Sequence, residues 1–289
     1  MKLQEWLEHI SLQHSKAIDM GLGRMREMVA RLDLKRPAEK VVTVAGTNGK
    51  GSTVIATESL LLSAGISVLS SISPHLKSFN ERIRINGEEA SDLDICSAFQ
   101  SIDEARLLDR EIPLTYFEYS ALASLYLAKM KQVKVAIFEI GLGGRLDAFN
   151  VIDAHTAVIT SIGYDHMEFL GNNLESIGRE KAGILRSDQR VVLGPDMPES
   201  VTECCDKLDL APRTYGKDFV ADSSAVSQRW NLNADDYHVA DIPLTNLAPQ
   251  NIAIAFETAK TITAIELSLI HISEPTRRYA ISYAVFCLK

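Results

Sequence analysis

The stretch VVTVAGTNGKGST, from Val41 to Thr53, joins a short run of β-branched residues to a glycine-rich turn that contains a lysine. Val41 to Val44 predicts a short buried strand, and STVIATESLLLSAG predicts a helix that ends at Gly65. ISVLSSIS follows as a second strand pattern. Strand, turn, helix and strand in this order form a βαβ unit, which favours a parallel sheet covered by helices.

The glycine-rich turn is a candidate phosphate site. Backbone N–H groups in such a turn can converge on phosphate oxygens, and the N-terminus of the next helix adds positive potential. Lys50 would neutralise the terminal phosphates, and Ser52 or Thr53 would reach a magnesium ion. The common pattern G-x-x-x-x-G-K-S/T is not met, because Val44 replaces its first glycine and Gly51 separates Lys50 from Ser52. A plain strand-to-helix turn therefore stays open as an alternative.

Further patterns extend this unit along the chain. VKVAIFEI and TAVITSIG predict buried strands, and YFEYSALASLYLAKM, LESIGREKAGIL and PQNIAIAFETAKTI predict helices. ERIRINGEEAS alternates around Asn86 and Gly87, which predicts a lateral hairpin. From about Asp196 to Pro249 the pattern weakens. We therefore expect an α/β fold with a mostly parallel sheet, helices on both faces and a small lateral β region.

Length and composition limit the classes of function. A chain of 289 residues allows one large or two ordinary domains. The net charge of −8, without a stripe of lysine or arginine, argues against nucleic acid as the main partner. Glu5 and Glu8 interrupt the apolar residues of the N-terminus, so we expect no secretory signal, no membrane anchor and a cytoplasmic location. The four cysteines lack metal-ligand spacing and are expected to be reduced.

Two polar residues follow predicted strands. Glu139 ends the apolar run VKVAIF, which places a carboxylate at the carboxyl edge of the sheet, where open α/β sheets bind ligands. This position suits magnesium coordination, and a solvated acid at a strand end is the alternative. His166 follows TAVITSIG in the same way. A neutral imidazole can ligate a metal, although a single histidine is more often structural.

Taken together, these segments resemble a known family. VAGTNGKGS is similar to the phosphate loop of the Mur ligase superfamily. The motifs WLEHI, IDMGLGR, SPHL, ERIRI, LTYFEY, FEIGLGGRLDAFN, TSIGYDH, SIGREKAGI and PQNIAIA resemble, in this order, the bacterial dihydrofolate synthase/folylpolyglutamate synthase family. The resemblance covers nearly all of the chain before Leu267 and implies a Mur-ligase-like central domain with a P-loop sheet.

The resemblance also implies a site for ATP and two magnesium ions. The implied nucleotide-binding residues are Gly46, Thr47, Asn48, Gly49, Lys50, Gly51, Ser52, Thr53 and Asn251. The implied metal ligands are Ser52, Ser73, Glu139, His166 and Lys181, the last as a carbamylated lysine, and Lys50, Lys181 and His166 are the implied catalytic residues. From the residues alone, Ser73 is a turn hydroxyl, Lys181 is a helix-surface lysine beside Glu180, and Asn251 is a helix cap.

A second implied site takes the pterin substrate. Ile18, Thr115, Phe117, Asp147 and Ala148 match positions that line the pterin and aminobenzoate pocket of the family. Flat apolar rings need flat apolar walls and a few polar anchors, which TYF and LDA supply. The alternatives are that Phe117 belongs to the core and that Asp147 pairs with Arg145.

The resemblance implies ATP-dependent ligation of L-glutamate to dihydropteroate or folate through an acyl phosphate. It also implies that the protein is a monomer. Residues 1–266 would form the ATP-binding domain, and the glutamate-binding C-terminal domain of the family would be absent, so the chain itself is expected to bind ligands without completing ligation. Leu267 to Lys289 resembles translated sequencing-adapter DNA and is expected to be non-native, with a natural but divergent tail as the alternative. A Mur-type ligase of a UDP-sugar peptide, a phosphotransferase or NTPase, and a non-catalytic nucleotide-binding fragment stay open as alternatives.

Overall fold

A computed structural model describes residues 1–14, 19–223 and 229–263. The predictions for Ile18 and for the tail from Leu267 to Lys289 lie outside these ranges. The helices are α1 (Leu3–Ser11), α2 (Gly23–Arg31), α3 (Lys50–Ser63), α4 (Asp92–Arg106), α5 (Tyr116–Met130), α6 (Met167–Leu170), α7 (Leu174–Ala182), α8 (Glu199–Lys207) and α9 (Pro249–Ile262). Short 3-10 helices span Phe79–Arg82 and Ala148–Val151.

The strands form two sheets in this part of the chain. They are β1 (Lys40–Ala45), β2 (Val68–Ser71), β3 (Ile83–Ile85), β4 (Glu88–Glu89), β5 (Val135–Glu139), β6 (Thr156–Ile159), β7 (Arg190–Leu193), β8 (Arg213–Thr214), β9 (Phe219–Ser223), β10 (Arg229–Ala234) and β11 (His238–Pro243). The larger sheet has the order β4-β3-β2-β5-β1-β6-β7-β8. Its strands run parallel from β2 to β8, and β3 and β4 are antiparallel at one edge.

Side chains of β1 alternate between the two faces of the sheet, because the side-chain period of a strand is two. Val42 and Val44 lie in one apolar core with residues of α3 and α9. Val41 and Ala45 lie in the other core, with residues of α1, α2, α4 and α5. The predicted α/β fold, with a mostly parallel sheet and helices on both faces, is confirmed. The hairpin at Asn86 and Gly87 is present as β3 and β4, and both turn residues have positive φ.

Several parts of the fold were not predicted, among them α4 and the smaller sheet. α4 follows Ser91, whose hydroxyl oxygen accepts a hydrogen bond from the Asp94 N–H at 3.1 Å. A serine followed three residues later by an acid is a helix start signal, and this sequence contains it. The three-stranded antiparallel sheet β11-β10-β9 lies in the stretch of weak pattern. Only Trp230 and Leu232 of β10 are buried, so its apolar alternation is too short to predict a strand from sequence.

The topology determines where a ligand site can lie. β2, β5, β1 and β6 are parallel neighbours, so their carboxyl ends meet at one edge of the sheet. Glu139 is the last residue of β5, and the segments that follow β1, β2 and β6 contain the turn at Gly46, Ser73 and His166. No helix in the described ranges has the length and apolar character needed to cross a membrane.

Candidate nucleotide and substrate site

The glycine-rich turn connects β1 to α3 and is held by the segment after β6. The Thr47 N–H donates to the Ser161 carbonyl at 2.9 Å, and the Thr160 hydroxyl donates to the Asn48 carbonyl at 2.6 Å. Gly46 has a φ of 151°, and a Cβ there would lie 2.0 Å from the Thr160 hydroxyl oxygen. This close approach requires glycine, so the turn is a tightly fixed loop at the start of a helix, the arrangement that binds phosphate.

Two lysines from different helices point to this turn. Lys50 Nζ donates to the Gly46 carbonyl at 3.0 Å, and Lys181 Nζ, on α7, donates to the same oxygen at 2.9 Å. Lys181 is only 3% exposed, so the alternative of a helix-surface lysine is wrong. Burial, together with the positive charge of Lys50, lowers the pKa of Lys181 to about 8. A larger fraction of neutral amine results, and neutral amine is the form that can add carbon dioxide.

Glu139 lies beside the turn at the end of β5. Its side chain is 5% exposed, so the alternative of a solvated acid is wrong. Oε2 accepts a hydrogen bond from the Ser73 N–H at 2.8 Å, and a Cβ on Gly51 would lie 3.5 Å from the same oxygen. Burial raises the pKa of Glu139 to about 7, although Lys50 and the Ser73 N–H favour the charged form.

The donor set fits a divalent cation. The Glu139 carboxylate and the Ser73 hydroxyl are hard oxygen donors of the kind magnesium prefers, and a cation would offset the cost of ionising a buried carboxylate. Across the described ranges, no group of three or more His, Cys, Asp or Glu residues could hold a metal. A complete site therefore needs ligands of other types, such as the serines, a phosphate oxygen or a modified Lys181.

The other implied ligands differ in exposure. His166 precedes α6 in a left-handed conformation, its side chain is 47% exposed, and Nε2 lies 3.6 Å from an Asp165 carboxylate oxygen. Ser52 and Thr53 are buried in the first turns of α3. The Thr53 hydroxyl has no hydrogen-bond partner among the described residues. Coordination of magnesium stays a prediction for all five implied ligands: Ser52, Ser73, Glu139, His166 and Lys181.

A cavity of about 290 Å³ lies next to these residues. Its walls include four of the predicted substrate residues, Thr115, Phe117, Asp147 and Ala148, together with Ser73 and His166. It also includes residues that the sequence analysis did not assign: Asp19, Met20, Gly21, Pro74, Arg82, Glu118, Gly141, Leu142 and Leu146. All nine belong to the quoted motifs IDMGLGR, SPHL, ERIRI, LTYFEY and FEIGLGGRLDAFN, which were the available signal.

Asp147 shapes one wall of the cavity through backbone contacts. Its carboxylate accepts hydrogen bonds from the N–H groups of Gly141, Leu142 and Phe149 at 2.9 to 3.0 Å. Burial raises its pKa to about 6, although these three bonds favour the charged form. Arg145 instead pairs with Glu180 at 2.9 Å, so the alternative of an Asp147–Arg145 pair is wrong.

Phe117 has both of the roles considered from sequence. Its ring packs edge-on against Phe149, with centroids 5.9 Å apart, and is partly buried against the core. The ring also covers the turn after β5, since a Cβ on Gly141 would lie 2.5 Å from it. Phe117 therefore belongs to the core margin and lines the cavity.

Asn251, near the start of α9, lies against the glycine-rich turn although it is about 200 positions away in the sequence. Gly49 has a φ of 82°, and a Cβ there would lie 2.5 Å from the Asn251 Oδ1. The N-cap of α9 is Ala248, so the alternative that Asn251 caps the helix is wrong. The amide of Asn251 is thus placed at the phosphate turn, where it can contact a bound nucleotide.

The site is a glycine-rich turn of the phosphate-binding type beside a cavity, at the carboxyl edge of a mostly parallel sheet, and comparison with known families assigns the class of protein. The Mur ligase middle domain matches residues 44–253, so the chain belongs to the Mur ligase middle domain family. Among individual proteins, the chain is similar to the dihydrofolate synthase/folylpolyglutamate synthase of Escherichia coli strain K12, with 39% identity over 284 residues. The predicted bacterial family is confirmed by this relationship.

Solved structures give the same result. The chain is similar to FolC of Escherichia coli in complex with DHPP and ADP, at a TM-score of 0.86 and 38% identity, covering 98% of this chain and 66% of that one. It is also similar to the bifunctional folylpolyglutamate synthase/dihydrofolate synthase of Yersinia pestis complexed with AMPPNP and Mn ion, at a TM-score of 0.84 and 38% identity. That match covers 93% of this chain and 65% of the other.

The shared region is only part of the relatives. The chain aligns over 98% of its own length but spans 65% of the E. coli relative.

Proposed function

We propose that this chain forms the ATP- and pterin-binding part of a ligase that joins L-glutamate to dihydropteroate and to folates. One observation carries the proposal: the cavity lined by Thr115, Phe117 and Asp147 also exposes Ser73 and His166, at the sheet edge that holds the phosphate turn. A substrate carboxylate in this cavity would lie next to a nucleotide on the turn.

The chemistry explains why these two sites need to be adjacent. A carboxylate is a poor acyl donor, because its leaving group would be oxide. Transfer of the γ-phosphoryl group of ATP to the carboxylate gives an acyl phosphate and ADP. The α-amine of glutamate then attacks the acyl carbon, the C–O bond to phosphate breaks, and an amide and inorganic phosphate result. No side-chain nucleophile is required.

The residues of the turn have an electrostatic role in this proposal. The loop amides from Gly46 to Gly49 and the ammonium of Lys50 would offset negative charge on the transferring phosphoryl group, which is the main requirement of such chemistry. Bound magnesium, proposed as two ions held by Ser52, Ser73, Glu139, His166 and carbamylated Lys181, supplies further positive charge at the phosphate oxygens. Asn251 would contact the adenine.

The cavity residues would position the pterin. Phe117 and Ala148 offer apolar surface, and the Thr115 hydroxyl and the Asp147 carboxylate offer polar anchors, as in most small-molecule sites. The bound DHPP, ADP, AMPPNP and Mn of the related structures support a pterin, a nucleotide and a divalent metal for this chain as well. The number of ions, the monomeric state, the cytoplasmic location, the lack of nucleic-acid or membrane partners and the domain boundary after residue 266 stay predictions from sequence.

The test uses the chain as it is. Magnesium-ATP and dihydropteroate are titrated separately, and ADP release is then measured with both present, with and without glutamate. We expect both ligands to bind and ADP to form only in the presence of dihydropteroate. Failure of dihydropteroate to bind overturns the proposal. Release of ADP at the same rate without pterin favours the NTPase or phosphotransferase alternative. In a separate titration, binding of a UDP-sugar peptide in the absence of pterin favours the Mur-type peptide ligase.

A further inference from the structure

A single guanidinium connects two segments of the cavity wall. Arg24 lies on α2 and does not line the cavity itself. Its Nε donates to both carboxylate oxygens of Glu118, at 3.1 and 3.2 Å. Its Nη1 donates to the Asp19 carboxylate at 2.6 Å, and its Nη2 donates to the Asp19 carbonyl at 2.7 Å. Both Asp19 and Glu118 line the cavity, so Arg24 links two of its walls.

Glu118 extends this link to a proposed substrate anchor. Its Oε2 accepts a hydrogen bond from the Thr115 N–H at 2.8 Å, and the Thr115 hydroxyl oxygen accepts one from the Glu118 N–H at 3.2 Å. This reciprocal pair begins α5 and fixes the side chain of Thr115. Since the hydroxyl oxygen is used as an acceptor, its hydrogen can be donated to a ligand in the cavity.

The link depends on the shape of the guanidinium. Glu118 is 4% exposed, and a buried carboxylate is costly unless it is paired and hydrogen-bonded. The Nε of Arg24 hydrogen-bonds the Glu118 carboxylate, while its two Nη atoms hydrogen-bond the carboxylate and the backbone carbonyl of Asp19. A lysine has the same charge but lacks this planar set of donors, so it cannot hold both partners in one geometry.

We propose that Arg24 is a positioning residue for the pterin site, acting through Glu118 on Thr115 and through Asp19 on the second wall. The inference rests on the proposed function and goes further, because it assigns the width of the cavity to a residue outside it. A flat ring system needs walls at a fixed separation, and the guanidinium sets the separation of two of them.

The test compares two ligands of the same protein. Dihydropteroate and magnesium-ATP are titrated separately into the parent chain, Arg24→Lys, Arg24→Ala and Glu118→Gln. We expect each substitution to weaken dihydropteroate binding by about 10- to 100-fold, the effect of losing a hydrogen bond to a buried charge. Binding of magnesium-ATP should stay within about twofold, since neither residue touches the phosphate turn. Arg26→Ala, on the same helix, is the matched control, because the described residues show no hydrogen bond or ion pair for that side chain.

The outcomes separate this inference from the proposed function. If the parent chain binds no dihydropteroate, the proposed function fails. If the parent binds it and Arg24→Lys binds it equally well, only the role of Arg24 fails. Equal losses for both ligands in every variant would mean that the ion pair only supports the fold, which also overturns the inference. In the double variant Arg24→Ala/Glu118→Gln we expect a loss no larger than the larger single loss, and additive losses would contradict action through Glu118.

Discussion

Lys50 and Lys181 donate hydrogen bonds to the same atom, the carbonyl oxygen of Gly46, at 3.0 and 2.9 Å. Two ammonium groups that share one acceptor repel each other, and Lys50 is one of the causes of the lowered pKa of Lys181. Anionic groups placed at the turn would relieve this repulsion. With Lys181 unmodified, the pair therefore forms a positive centre at the start of α3, suited to the phosphates of a nucleotide.

The first prediction concerns Lys50→Ala. Because Lys50 would offset charge on the transferring phosphoryl group, its loss should reduce pterin-dependent ADP release by about 100- to 1,000-fold, the effect of removing one electrostatic donor. Circular dichroism and the unfolding free energy should stay near those of the parent. Lys129→Ala is the control, since Lys129 pairs with Asp33 on the surface. ADP release at the parental rate in a folded Lys50→Ala protein would contradict the role.

The second prediction concerns the carbamate. The buried amine of Lys181, with its pKa lowered to about 8, should add carbon dioxide at neutral to mildly alkaline pH. We expect a carbamate signal in ¹³C NMR spectra of the chain equilibrated with ¹³C-bicarbonate. The signal should be absent in Lys181→Gln and present in Lys129→Gln. A spectrum of the parent chain without a carbamate signal would exclude the modified lysine as a metal ligand in this chain.

Much of the site could be predicted from sequence because parallel strands end at one edge. Glu139 and His166 each come at or after the end of a buried strand pattern, and the glycine-rich turn follows another. The order of strands and helices is therefore enough to predict that these residues lie close together. The helices α5 and α9 have the bounds that their apolar periodicity predicts. In these parts local pattern and tertiary structure agree.

Contacts between distant segments could not be predicted in this way. Arg24 and Glu118 are separated by 94 positions, and nothing in either local pattern indicates that they pair. The nearby Arg145 made an ion pair with Asp147 reasonable, but Asp147 binds three backbone amides, which have no signature in the sequence. Side-chain partners depend on the folded geometry, whereas strand and helix periods depend on local residues alone.

The third prediction concerns Gly49→Ala. Gly49 has a φ of 82°, and its new Cβ would lie 2.5 Å from Asn251 Oδ1, so both strain and a clash are expected. We expect a loss of about 1–3 kcal/mol in unfolding free energy and weaker magnesium-ATP binding. Gly65→Ala is a matched control with a φ of 72° and no described atom within 4 Å of the new Cβ. It should lose stability through strain alone and keep its nucleotide affinity; equal affinities for all three proteins would contradict the role of the turn.

The last prediction concerns the dependence of stability on pH. Asp103 accepts hydrogen bonds from Arg106 at 2.7 Å and from the Tyr119 hydroxyl at 2.9 Å. Burial opposes ionisation of Asp103, but the bonds from Arg106 and Tyr119 outweigh it and lower the pKa. Since the folded pKa lies below the unfolded value, the stabilisation is complete above the unfolded pKa and is lost as the pH falls through the folded one.

Asp103→Asn removes this titration. The parent should lose more unfolding free energy than the variant as the pH falls from about 5 through the folded pKa of Asp103. Urea unfolding at a series of pH values measures the difference. Asp206→Asn, on the exposed side of α8, is the control, because no described residue hydrogen-bonds its side chain. If the unfolding free energies of the parent and Asp103→Asn fall equally with decreasing pH, the Asp103 charge contributes nothing to folding. A group with equal folded and unfolded pKa values leaves the slope of stability against pH unchanged.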